Sequence, residues 1–185
     1  ATASLLAQVI TSKYQYALPL HRQEVMFQQY GIGLSRKTMA DWMIQCSTLL
    51  QPIYQAPKAT QLQQPVIHAD ETPLKVIHED KSRCYMWVYC TGTDSPQTQG
   101  APPNIVLYDY RNSRSGQCPV DYLQGYDGYL QVDGYAGYGQ TGATLVGCWA
   151  HARRKFMEAK QTQPKGTVGK ADWAMGQISK LYRIE

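Results

Sequence analysis

The chain reads as an α/β protein, a mixed sheet with flanking helices, preceded by a small all-α region. Three observations predict this. From residue 65 onward apolar and polar residues alternate in short runs separated by Gly, Pro and Asp, the period of half-buried strands. Over residues 1–50 apolar residues recur instead at helical spacing, with helix-start and helix-stop residues between segments. Between the two, residues 51–64 are rich in Gln and carry Pro52 and Pro57, the composition of a connector.

In the amino-terminal part, Leu5, Leu6, Val9 and Ile10 predict a first helix. Pro19 breaks the chain before a second, through Arg22, Val25, Met26, Phe27 and Tyr30. Gly31 and Gly33 mark a turn, and Ser35 is the expected N-cap of a third helix with Met39, Trp42 and Met43 inward and Arg36, Lys37 and Asp41 outward. Helix, short Gly-containing turn and helix is the helix-turn-helix pattern, whose second helix presents its first residues to the major groove. Arg36, Lys37 and Thr38 are the expected DNA readers. A helical brace packed on the following core has the same pattern.

In the second part, strands are expected around Asp70, over 83–91, over 105–110, before Asp133 and over 144–149. A loop with Gly92, Pro96, Gly100, Pro102 and Pro103 joins the second and third, and a short helix near 120–123 precedes the fourth. A basic helix follows the fifth strand. Residues 161–169 read as a loop and 171–184 as a last helix.

Asp70 and Asp133 each sit near the end of an apolar strand-like run, in PVIHADETPLKV (65–76) and GYLQVDGYAGYG (128–139). A carboxylate beside an apolar strand loses hydration, which is costly unless a cation or hydrogen-bond donor replaces the water. Acids on neighbouring strands can share divalent ions, which points to phosphate chemistry. Each Asp could instead cap a turn, before Thr72-Pro73 or before Gly134. Glu71, next to Asp70, should point to the opposite face of the strand and serve as a supporting or structural residue. Of fourteen tyrosines, most are expected to pack core edges with their hydroxyls wet. Tyr135, between Gly134 and Gly137, is the best candidate to stack on a base beside the acids.

The runs HADETPLKV, YMWVY, LQVDGYAGY and GCWAHARRKF, in that order, closely resemble the transposases of the insertion-sequence-66 family of bacterial mobile elements. The resemblance covers nearly the whole chain. It implies a ribonuclease-H-like core over 65–160 and a DDE triad of acids holding two Mg²⁺ (or Mn²⁺) ions, with Asp70 matching the first acid and Asp133 the second. It implies double-stranded DNA as partner, both element ends and target, with a homo-oligomer on DNA and element-encoded accessory proteins as further expectations. It also favours a DNA-contacting role for Arg153, Arg154 and Lys155, with His151 and Arg154 as active-site neighbours. Residues 161–185 would begin a helical insertion. In the family the third acid lies on a helix beyond that insertion. Glu158 and Glu185 are the glutamates after Asp133, and both fall where the family has insertion helices. The catalytic Glu is therefore expected to be absent, the chain to be a piece of a transposase, and this piece alone to be inactive. The alternative is an inactive DNA-binding remnant of a mobile element.

Composition adds boundaries. The net charge of +4 and pI of 8.7 permit nucleic-acid binding without requiring it. No apolar run reaches the ~18 residues of a membrane span and no signal peptide is visible, so a cytoplasmic, nucleoid-associated protein is expected. Five cysteines without CxxC spacing argue against a disulfide framework or zinc ribbon. Cys148 and His151 could join a zinc site only if a second pair completed it. No nucleotide cofactor is needed. A glycosidase using the Asp pair as acid and base would need no metal, and nothing resembles a sugar-binding groove.

Overall fold

The computed structural model describes residues 1–77, 79, 81, 83–92, 103–164 and 168–184. Two compact units divide the chain, Ala1–Ala56 and Pro57–Glu185.

The first unit is built on α1 (Ala3–Tyr14), α2 (Leu20–Gln29) and α3 (Arg36–Leu49). The start signals expected at Pro19 and Ser35 work locally: Pro19 sits at the N-cap of α2, and the Ser35 hydroxyl accepts from the Thr38 N–H at 3.1 Å to open α3. Thr2 caps α1. Val9, Phe27 and Met39 form the core, with Leu5, Leu20, Leu34 and Trp42 packed around them. The buried Gln23 amide donates to the carbonyls of Val9 (3.2 Å) and Leu18 (2.9 Å), tying α2 to the end of α1.

Residues 51–64, expected as a connector, are helical over α4 (Gln51–Gln61) with Pro57 inside the helix. Pro52 lies in the first turn, where a missing N–H is tolerated. Pro57 interrupts the backbone ladder at the point where the two units divide. Proline content alone hid this helix.

The second unit carries a five-stranded sheet of β1 (Val66–Leu74), β2 (Cys84–Thr91), β3 (Ile105–Arg111), β4 (Tyr129–Val132) and β5 (Thr144–Gly147), in the order β3-β2-β1-β4-β5. β1, β2 and β3 pair antiparallel, and β4 and β5 join in parallel. With α5 (Gln117–Tyr122), α6 (Trp149–Gln161) and α7 (Lys170–Leu181), this is the ribonuclease-H-like arrangement expected. Parts of the loop between β2 and β3, including Pro96, Gly100 and Pro102, lie outside the described residues, as do Glu185 and part of 161–169.

One strand detail departs from expectation. No turn occurs at Thr72-Pro73, because β1 continues to Leu74 with Pro73 opposite Tyr85. β4 pairs with β1 only through His68, so the far half of β1 is open on that side and a residue without an N–H costs no ladder bond there.

The buried side of the sheet carries Ile67, Ala69, Trp87 and Tyr89. Tyr122 of α5 stacks on Tyr89 with centroids 3.6 Å apart, and Tyr138 meets Trp87 edge-on at 5.7 Å. The Tyr122 hydroxyl donates to the Gln61 side chain (2.9 Å), whose amide donates to the Tyr89 carbonyl (2.9 Å). Among the described residues no helix is long and apolar enough to cross a membrane.

Candidate active site

The acids are placed by strand register. β1 and β4 pair Val66 with Tyr129, Ile67 with Leu130 and His68 with Gln131. Counted on in the same register, past the last paired residues, Ala69 corresponds to Val132 and Asp70 to Asp133. Asp133 is the first residue past β4, whereas Asp70 lies in the middle of β1 rather than near its end. Both residues are exposed, and the Asp70 side chain is 55% accessible. In each, Oδ1 accepts a nearby backbone N–H: from Glu71 (2.9 Å) for Asp70 and from Tyr135 (2.8 Å) for Asp133. The local turn expected of an Asp before Gly does form at Asp133, with Gly134 at φ +96°. It engages one oxygen, and no hydrogen bond to Oδ2 is formed among the described residues.

Asp70 lines a small cavity of about 130 Å³ together with His68, Val88, Cys90, Cys148 and His151. β1 and β2 supply its floor. The start of α6 supplies its wall: Cys148 is the N-cap, and His151 brings Nε2 to 3.9 Å from Asp70 Oδ2. Burial raises the Cys148 thiol pKa, but hydrogen bonds from the His151 backbone and side chain and from Gln131 outweigh it and hold the thiol below its ordinary value. Burial alone lowers the His68 imidazole. No group of three His, Cys, Asp or Glu residues close enough to hold a metal ion occurs among the described residues, so Cys148 and His151 find no partners for zinc. Glu158 is exposed and paired with Lys155 at 3.1 Å.

Glu71 takes the opposite face of β1, as strand alternation requires. Its side chain is 1% exposed, and burying a charge to that degree demands compensation. Arg114 donates to Oε1 through Nε (2.8 Å) and Nη2 (2.5 Å), and the Tyr138 hydroxyl donates to Oε2 (2.7 Å). The Arg114 guanidinium lies 4.1 Å over the Tyr135 ring, and the Tyr135 hydroxyl donates to the Arg114 carbonyl. Burial, then the bond to Glu71, pushes the Tyr138 hydroxyl pKa far above its ordinary value, keeping it a neutral donor. The loop that carries Asp133 is thus bolted through Tyr135 and Tyr138 to the strand that carries Asp70. A Cβ at Gly137 would collide with the Tyr135 ring, which explains the second glycine of GYAGY.

Tyr135 is therefore half-buried in packing, with Arg114 covering one ring face, and is not placed to offer that face to a base. Arg114 was invisible to sequence reasoning, because an RNSRS stretch in a loop looks like solvated charge. On α6, Arg153 and Arg154 are exposed and line a groove against α7, whereas Lys155 pairs with Glu158 outside it. In the first unit, Arg36 and Lys37 are exposed at the start of α3. Thr38 is half-buried, with its hydroxyl 2.9 Å from that of Ser35.

With this geometry in view, the family model described as "Transposase IS66 family" matches residues 1–185. The chain belongs to that family. Similar proteins include the uncharacterized proteins y4qI (34% identical, covering 100% of this chain and 36% of the relative) and y4jD (36% identical, 85% and 33%), both of Sinorhizobium fredii. A third protein of that organism, y4hP, is 32% identical over 86% of this chain and 30% of its own length. The chain thus spans about a third of the curated relatives it matches. No solved structure matches it.

Proposed function

We propose that this chain is the central part of a DDE transposase that cleaves and joins DNA strands at the ends of an insertion sequence. What supports the reading is membership of a transposase family together with the parallel neighbours β1 and β4, which carry Asp70 and lead into Asp133, corresponding positions when their register is counted on. Both acids are exposed and each has an oxygen not engaged by the backbone. Hard oxygen donors that leave room for water suit Mg²⁺ or Mn²⁺. Bound there, paired ions would activate a water or 3′-hydroxyl and stabilise the leaving oxygen at phosphorus.

The chain's own residues do the remaining work. Asp70 and Asp133 would hold the ions. Glu71, Arg114, Tyr135 and Tyr138 fix the loop after β4. His151, which approaches Asp70, and the Arg154 guanidinium one turn further along α6 would meet a DNA phosphate, and Arg36, Lys37 and Thr38 would meet DNA at the start of α3. Homo-oligomers on DNA and accessory proteins remain part of the proposal.

The test uses the whole reading frame, incubated with linear DNA ending in the element's terminal repeats. Cutting that requires Mg²⁺ or Mn²⁺, stops in EDTA and disappears in Asp133→Asn is the expected result. One observation favours a second reading, a DNA-binding remnant: no third carboxylate joins the pair among the described residues. DNA that is bound but never cut under any of these conditions would establish it. Arg36→Ala with Lys37→Ala is expected to weaken duplex binding and lower its salt slope by up to about two. An unchanged slope would assign α3 to a bracing role.

A further inference from the structure

We propose that α6 and α7 form the two walls of a track for the phosphodiester backbone of a DNA strand, leading away from the acid pair. This deepens the transposase reading and rests on DNA being the partner. Ala150, Arg153, Arg154 and Met157 recur at helical spacing and so share one face of α6. Across from them Ser179 and Tyr182 complete a groove of about 570 Å³. The two helices are antiparallel. Lys160 pairs with Asp172 at 2.6 Å where α6 ends and α7 begins, and Ala171, Ala174 and Ile178 of α7 are buried. The return of α7 therefore carries Ser179 and Tyr182 back to the end of α6 where His151 approaches Asp70.

Charge decides what fits. Several cations of this unit have carboxylate partners: Lys155 with Glu158, Lys160 with Asp172, Arg114 with Glu71. Arg153 and Arg154 have none among the described residues, and both face the groove. Unneutralised guanidinium groups in a concave site attract anions, and their planar forks suit phosphate oxygens. Serine and tyrosine hydroxyls are ordinary phosphate donors. The carbonyls at the end of α7 oppose an anion, but with about half an elementary charge against two full ones. Arg154 lies about 4.5 Å along the helix axis from His151, on the order of one nucleotide step of a strand. A strand with one phosphate at the acids would present the next phosphates to this groove.

The test measures anisotropy of a labelled DNA duplex with the chain in EDTA, so that the acid pair and its metal play no part. Arg153→Ala and Arg154→Ala are each expected to weaken binding about tenfold and to lower the salt slope by about one. Ser179→Ala combined with Tyr182→Phe should weaken it about threefold without changing the slope, since no charge is removed. Lys170→Ala, exposed at the start of α7 and outside the groove lining, should leave affinity within about twofold of the wild type. An equal loss at Lys170 would overturn the track in favour of a general positive field, and full binding by the Ser179/Tyr182 double variant would remove α7 from it. Melting curves for each variant separate lost contacts from lost folding. Groove-dependent binding without any metal-dependent cutting would leave the track standing and sink the catalytic reading. A wild-type chain with no affinity for DNA would sink both.

Discussion

Asp70→Asn and Asp133→Asn are each expected to abolish Mn²⁺ binding while leaving the fold intact. Asparagine keeps the shape and one carbonyl oxygen, so the local bonds from the N–H groups of Glu71 and Tyr135 can persist. The lost negative charge is what a hard divalent cation requires. Loss of a group outside the ligand shell already costs about 10–100-fold in affinity, and with no group of three possible ligands among the described residues to share the ion, loss of either acid should exceed that. Titration of the free Mn²⁺ electron paramagnetic resonance signal reads it directly. Full binding by either variant would remove that residue from the site.

The second large effect is expected at Glu71. Glu71→Ala leaves the buried Tyr138 hydroxyl without its acceptor and Arg114 without its carboxylate. Removing one partner of a fully buried pair costs about 3–5 kcal/mol. Arg114 is 44% exposed and can turn to water, so most of the penalty falls on the hydroxyl, and a loss of about 2–3 kcal/mol by urea denaturation is expected. Because Tyr138 and Tyr135 hold the loop after β4, Mn²⁺ affinity should fall as well, although Glu71 faces away from the metal side of β1. Tyr138→Phe keeps the ring packing against Trp87 and removes one bond, so it should cost about 1–2 kcal/mol. If the two substitutions reduced stability and left Mn²⁺ affinity untouched, the network would be a core bolt with no part in positioning Asp133.

Much of this molecule is legible in the chain because its signals are local. The helix starts at Pro19 and Ser35, the alternation that separates Asp70 from Glu71, and the turn at Gly134 each depend on a few neighbouring residues. The connector expectation for 51–64 failed for the complementary reason. Prolines there argue against a helix locally, and the helix forms nonetheless, with Gln61 at its end bonded to Tyr89 and Tyr122, residues distant in sequence.

The sequence by itself determined the order of the strands, the helices other than α4 and the opposite faces taken by Asp70 and Glu71, since these follow from periodicity and motif. Tertiary structure alone decided which residues meet. The parallel pairing of β1 with β4 makes neighbours of the strand that carries Asp70 and the strand that leads into Asp133, the fold carries a loop arginine to Glu71, and the return of α7 turns the basic face of α6 into a groove. Each of these joins residues far apart along the chain, where spacing holds no information and only the packing of the sheet and its helices fixes the distance.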